Sequence, residues 1–547
     1  MNKQHARSKM KMIILTVLAI FVIAILMAGL LFRQAFPAAP RFKDLPVSGD
    51  STVSTDSGLI RGAHQDGVYR YLGVPYAHAN KRFMDAEPIK PWKGVFTANA
   101  YGPTSPQGSM LGMSAATDTK GTSNDCQNLN VWTPKVSKQN DLPVMVWLHG
   151  GGFSTGSANE RSYDGANLSR SHNVVVVSVN HRLNVFGHLD LSSYGEEYRD
   201  SGNVGLTDII MALQWIKANI GAFGGDPNNV TLFGQSGGGA KALALMTSPQ
   251  AKGLFNKAIV ESGATETMGV SFATQEQSQS LTKHLLDQLG IDTNHIGDLQ
   301  NVSVDKLQEA STQALQETAN EYHIPAPLGG GYQMEWGPVV DGDVLPSNPV
   351  TDDAFAEAGK NVTLLIGSNL NEWTGMSAPT TVPDGTDRQA LAAALQEAYP
   401  DKRGLKASRV DTLIRLPMLK IMSHKADQHG ASVYSYVFTH SSGVAGSYHG
   451  SEIPYVFDNV SGKLADHISQ AWVSFAKTGR PSADGLPQWK PYTRENGATM
   501  ILDDHSKLVH HHDRELMRLL SPKLLVLTFR IDQFSMSAGA PYGTHPA

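Results

Sequence analysis

Ser236 stands in the run Gly234-Gln235-Ser236-Gly237-Gly238-Gly239, a serine hemmed in by residues with almost no side chain. The spacing is G-x-S-x-G, the form of a nucleophile elbow, where a strand passes into a helix through a turn too sharp for bulky neighbours. A hydroxyl at the head of a helix meets the positive end of the helix dipole, which favours the negative charge that develops on attack at a carbonyl. The chemistry to expect is acyl transfer, with ester cleavage through an acyl-serine. A glycine-rich turn whose serine only caps a helix would read the same way, and 52 of the 547 residues are glycine. The choice depends on whether a base, an orienting acid and oxyanion donors stand elsewhere in the chain.

Candidates for each are present. Upstream, His149-Gly150-Gly151-Gly152-Phe153 directly follows the apolar run Val144–Leu148. Bare backbone lets N–H groups approach a substrate oxygen closely. Gly151 and Gly152, with the N–H of Gly237, are expected to form a three-donor oxyanion hole. Downstream, Leu365–Trp373 is a strand running into a loop that carries one acid, Glu372. His449 lies beside Gly450 in a loop after the apolar run Val433–Thr439; with 20 histidines in the chain, that position favours it without fixing the choice. Glu452 is a rival acid, but three residues from His449 it is too close in sequence to face it, and it is read as structural. The lone cysteine, Cys126, reads as a small buried apolar residue rather than a nucleophile. His510-His511-His512-Asp513 reads as a polar turn, because no second ligand cluster accompanies it. No metal or cofactor is implied.

The elements that must position these residues alternate from Ser51 onward, the signature of an α/β layer fold. Val144–Leu148, Val174–Val179, Val230–Phe233, Ala258–Val260 and Thr363–Ile366 are apolar on successive residues, which fits strands buried on both faces of a mostly parallel sheet. Ile209–Ile220 and Gln275–Leu289 read as helices, the second with Leu281, Leu285 and Leu289 on one face and Gly290 as its stop. The stretch from Thr265 to Gly330 reads as a helical subdomain over the sheet.

The N-terminus has a different character. Lys3, Arg7, Lys9 and Lys11 precede an apolar run over residues 12–32. As a helix it would span about 32 Å, enough to cross the hydrocarbon layer. The expectation is a cytoplasmic basic segment (1–11), an uncleaved signal anchor (12–32), a proline-containing tether (33–50), a catalytic domain (51–535) and a tail (536–547). The basic end should stay in the cytoplasm and the catalytic domain outside it, in a bacterial periplasm; secretion after signal cleavage is the alternative. With five basic and no acidic residues in 1–33, the remainder carries 40 basic against 50 acidic. That balance argues against nucleic acid as a partner and leaves membrane contact to the N-terminal helix.

Taken together, the motifs resemble the type-B carboxylesterases of the cholinesterase–carboxylesterase family, which have the α/β-hydrolase fold. The likeness runs from about Val53 to Asp503. It is carried by Gly73-Val74-Pro75-Tyr76-Ala77, Asn128-Leu129-Asn130-Val131-Trp132-Thr133-Pro134, Asn180-His181-Arg182-Leu183, Gly202–Asp208, the elbow, Pro338–Gly342 and His449–Phe457. By that resemblance Ser236 is the nucleophile, His449 the base and Glu372 the acid; Gly151, Gly152 and Gly237 hold the oxyanion, and Ser262 supports the triad. It implies a small-molecule ester as substrate and an ion pair between Arg182 and Asp208. The alternatives are a non-catalytic cholinesterase-like binding module or, among enzymes, a thioesterase or lactonase. The chain departs from the family's pattern at Gln235, usually glutamate; at Gly237, usually alanine; at Ser105, where the partner of Cys126 would stand; and at Asn124, usually a glutamate facing Arg82.

Overall fold

The computed structural model describes residues 44–108, 121–137, 141–327, 330–375, 379–441 and 443–521. The expected basic segment, anchor and tail (1–11, 12–32 and 536–547) lie outside them, as does most of the tether. Among the described residues, no helix is long and apolar enough to cross a membrane.

Thirteen strands form one sheet: β1 (Val47–Thr55), β2 (Gly58–Gln65), β3 (Val68–Pro75), β4 (Val95–Thr97), β5 (Asn128–Thr133), β6 (Leu142–Leu148), β7 (Val175–Val179), β8 (Gly225–Gln235), β9 (Lys257–Glu261), β10 (Thr363–Asn369), β11 (Val433–Phe438), β12 (Ala498–Leu502) and β13 (Lys507–His510). Their order is β1-β2-β3-β5-β7-β6-β8-β9-β10-β11-β12-β13, with β4 beside β2. From β7 to β12 every pairing is parallel. These are the apolar runs, and β6, β7, β9 and β11 are buried at every residue, as strands covered on both faces must be.

Along the flanks the path β1-β2-β3-β5-β7 is antiparallel, as is β12 with β13, while β4 lies parallel to β2. A short connection imposes this between β2 and β3. Asp66 and Gly67 join β2 to β3 with φ of 51° and 74°, the two positive values a tight hairpin requires. The first strand also corrects the expected tether. Val47 pairs with Ala63, and Ser51 Oγ donates to the Gly62 carbonyl at 2.8 Å, so residues 47–50 belong to the sheet.

Helices α1 (Val204–Asn219), α2 (Gly237–Thr247), α3 (Gln275–Leu289) and α4 (Val304–Glu321) follow. The α3 helix starts in a capping box between Thr274 and Gln277 and ends at Gly290 with φ 65°, so both ends are set by local sequence. Leu281, Leu285 and Leu286 on α3 join Leu307 and Ala314 on α4, with Phe83 and Phe186, in an apolar cluster of their own. The helical insertion expected between Thr265 and Gly330 thus has a core separate from the main one.

Arg182 and Asp208 pair with both side chains fully buried. Nη2 meets Oδ1 at 2.7 Å and Nε meets Oδ2 at 2.9 Å, while Gln127 Nε2 donates to Oδ2 at 2.9 Å. Asp208→Asn would leave an uncompensated guanidinium in the core, an expected cost of about 3–5 kcal/mol. The denaturant midpoint should fall with an unchanged slope. Arg182→Met with Asp208→Leu should recover most of the loss, and a midpoint unmoved by Asp208→Asn would refute the assignment.

Candidate active site

The parallel strands β8, β9 and β10 are in register, Gln235 opposite Glu261 and Glu261 opposite Gly367. Their C-terminal ends therefore lie side by side, where an α/β sheet presents its site. One candidate residue follows each end: Ser236 after β8, Ser262 after β9, Glu372 after β10. All three have positive φ, 56°, 48° and 29°. Serine and glutamate pay on the order of 1–3 kcal/mol for such a conformation, and the packed sheet holds them in it. Ser236 (φ 56°, ψ −128°) is fastened from both sides. Its N–H donates to the Glu261 carbonyl at 2.8 Å, and its own carbonyl accepts from Gly239 at 2.9 Å.

Close approach explains the elbow glycines. A Cβ on Gly238 would overlap the Leu148 carbonyl, and one on Gly237 would overlap the Gly152 peptide. The Gly150–Gly152 segment therefore lies backbone to backbone against the head of α2. Gly237 in place of the family's usual alanine is part of that fit.

Glu372 is fully buried and carries three donors. Ser262 Oγ reaches Oε1 at 2.6 Å, as does the Asn369 N–H, and His449 Nδ1 meets Oε2 at 2.6 Å. A carboxylate that only accepts requires the proton on Nδ1, which leaves a lone pair on Nε2. The loop bearing His449 is registered by its own N–H to the Glu372 carbonyl, 3.2 Å. Burial opposes charge on His449, but the Glu372 carboxylate outweighs it, and the net shift is above the usual histidine value. The fold thus brings Glu372, His449 and Ser262, all singled out in the sequence, into one chain of contacts.

Ser236 Oγ makes no hydrogen bond to His449 among the described residues. The Nε2 lone pair is met instead by the Gln235 side-chain amide at 3.2 Å. A glutamate there would aim a second acceptor at that lone pair; the amide offers a donor. Gln235 thus makes a contact that its place beside the serine does not reveal.

Trp373, Asp411 and Glu261 escaped the sequence reading. Trp373 stacks on the His449 ring, 4.4 Å between centroids, and its adjacency to Glu372 was the available signal. Asp411 and Glu452 are buried, and burial together with the Glu372 charge pushes each up to about 7. Glu261 is driven well above its ordinary value by burial and by Glu452, while its Oε1 accepts from Trp472 Nε1 at 2.7 Å. Glu452 Oε2 accepts from Asn369 Nδ2, the residue whose N–H binds Glu372. Burial thus favours the neutral form in the carboxyls around Glu372.

At the positions where the chain departs from its relatives, other contacts take over. Ser105 Oγ accepts from the Leu183 N–H at 3.1 Å, and Cys126 is buried. Arg82 turns its guanidinium to the carbonyl of Val302 at 2.5 Å, and Asn124 Nδ2 donates to Ala79. His510 ends β13, His510 and His511 meet the Asn496 and Glu495 carbonyls, His512 packs edge-on to Tyr399 and Asp513 pairs with the buried Arg415, so the run packs where β13 turns into the next helix.

A carboxylesterase-family profile matches residues 49–401 and 391–518. The para-nitrobenzyl esterase of Bacillus subtilis (strain 168) is 36% identical over 506 residues, covering 86% of this chain and 98% of that protein. The phenmedipham hydrolase of Pseudarthrobacter oxydans is 31% identical over 82% of this chain and 94% of its own length. Among solved structures, an esterase from Clostridium hathewayi described as hydrolysing aliphatic aromatic polyesters superposes with a TM-score of 0.76. It is 32% identical, covering 88% of this chain and 99% of that one.

Proposed function

The chain belongs to the carboxylesterase family and is an enzyme that hydrolyses carboxylic esters; from that premise we propose that it works through an acyl-enzyme on Ser236, with His449 as base and Glu372 as orienting acid. The Glu372–His449 contact at 2.6 Å, backed by Ser262 and Asn369, carries this reading, because it leaves Nε2 as the acceptor next to the elbow.

His449 takes the Ser236 proton as Oγ attacks the ester carbonyl. Glu372 keeps the imidazole in the required tautomer and stabilises the imidazolium. Gly151, Gly152 and Gly237 supply N–H groups to the oxyanion, each worth roughly 10²–10³ in rate. The imidazolium protonates the leaving alcohol, and water repeats the sequence to release the acid. For Nε2 to accept from serine, the Gln235 amide must give way, and substrate entry is the step at which it does so. The uncharged Gln235 supports an ester with a neutral alcohol over one with a cationic alcohol. Relatives named for a nitrobenzyl ester and for aliphatic aromatic polyesters agree with that preference.

The test is labelling with a fluorophosphonate followed by peptide mapping, alongside hydrolysis of a panel of aryl esters. A single adduct on Ser236 that forms as activity is lost is the expected result. An adduct elsewhere, or full activity after labelling, would overturn the assignment of Ser236.

The pH dependence follows from His449. The base works only when neutral, and its pKa is raised. kcat/KM for a non-ionising ester should be flat at alkaline pH and fall tenfold per unit below an apparent pKa above 6.5. A profile still flat below pH 6 would show that this imidazole is not the base.

A further inference from the structure

Lys241 lies on α2, four residues after Gly237 and so on the same face of the helix, and it is completely buried. Its Nζ donates to the His149 carbonyl at 2.9 Å and lies 5.5 Å from the centre of the Phe153 ring. His149 and Phe153 are the residues on either side of Gly150-Gly151-Gly152. One ammonium on the helix that begins at Gly237 therefore touches both ends of the glycine segment.

That segment lacks side chains with which to fasten itself. Toward the elbow it presents only its own backbone, Gly152 to Gly237 and Gly150 to Gln235 and Ser236; on the far side the Gly151 carbonyl accepts from the Ser154 and Thr155 N–H groups, and the Phe153 carbonyl from that of Asn184. The backbone contact with the elbow fixes a minimum distance but not a position. The groups next to Lys241 are the buried imidazoles His149, His181 and His188, each with an Nε2 that has no hydrogen-bond partner among the described residues; burial, with the charge on Lys241 added, disfavours their protonation. Burial brings Lys241 itself down to about 7. An amine held among imidazoles, with no carboxylate among the described residues to pair it, is a poor stabilising device, since burying an unpaired charge costs free energy. Its contacts are explained by what it holds.

We infer that Lys241 is a positioning residue of the oxyanion hole: from behind, it ties the His149–Phe153 segment to the helix whose first N–H, that of Gly237, supplies the third donor. The inference rests on the reading of Ser236 as nucleophile and of Gly151, Gly152 and Gly237 as oxyanion donors.

Lys241→Met keeps the length and packing of the side chain and removes the tether. A displacement of a catalytic group by about 1 Å can cost on the order of 100-fold in rate. The expected result for a p-nitrophenyl ester is kcat lower by about 10–100-fold with KM within about threefold, at an active-site concentration fixed by titration. Affinity for a trifluoromethyl ketone, whose tetrahedral adduct places an oxyanion in the hole, should fall by the same factor as kcat. Thermal stability should be equal or higher, because a buried amine has gone. Lys241→Gln, which keeps an N–H donor, should recover part of kcat. Unchanged kcat and ketone affinity in Lys241→Met, or losses matched by a lower melting temperature, would make the residue merely structural and overturn the inference. Failure of the underlying reading looks different: Ser236→Ala would then retain activity, whatever Lys241 does.

Discussion

Replacing Ser236 with alanine is expected to lower kcat/KM for a short aryl ester by roughly 10⁴–10⁶-fold, with the fold intact. The attacking atom is removed, and nothing beside it can substitute. The side chain that precedes it, Gln235, is a neutral amide whose nitrogen faces His449 at 3.2 Å. Any residual rate would come from binding and from the oxyanion donors acting on water. The substitution is a clean one because Ser236 is held by its backbone, through the Glu261 carbonyl and the Gly239 N–H. Alanine also keeps the Cβ and therefore the strain at φ 56°, so the melting temperature should not move. Single-turnover assays on protein free of wild-type enzyme measure the effect. A variant retaining more than a few per cent of activity would exclude an acyl-serine route.

Glu372→Gln is expected to cost about 10³–10⁴-fold in kcat with little change in KM. The two residues have the same shape, so the effect isolates charge and proton placement. Oε1 is claimed by the Ser262 hydroxyl and the Asn369 N–H, both donors, so the glutamine oxygen must take that side. Its NH₂ then faces His449 Nδ1 and forces the ring proton onto Nε2, where it cannot accept from serine. The acidic limb of the pH profile should also move to lower pH, because the anion that raises the imidazole pKa is gone. A loss smaller than tenfold, or an unmoved limb, would mean that Glu372 neither orients nor charges the base.

Much of the site was legible because local sequence builds its parts. The glycines around Ser236 specify the sharp turn, and Glu372 and His449 each sit in a loop just beyond an apolar strand. The parallel block was legible for a related reason: strands buried on both faces spell continuous apolar runs. The antiparallel flank was not, since β1 is largely exposed and its sequence, Val-Ser-Gly-Asp-Ser-Thr-Val-Ser-Thr, looks like linker. Its one strong signal was the Asp66-Gly67 hairpin. The contact between Gln235 and His449 spans 214 positions, and that between Lys241 and His149 spans 92. Asp411 reaches the surroundings of Glu372 only through tertiary packing. Contacts of this kind depend on how strands stack in three dimensions, and no periodicity in the chain encodes them.

Ser236, Ser262 and Glu372 share a positive φ, which glycine adopts without strain. At Glu372 glycine would strand three buried donors, so hydrogen bonding holds the strain in place there. At Ser236, fastened by its backbone alone, glycine relieves the strain and removes only the hydroxyl, so loss of the nucleophile runs downhill in folding free energy. Keeping the chemistry is what requires continuous selection.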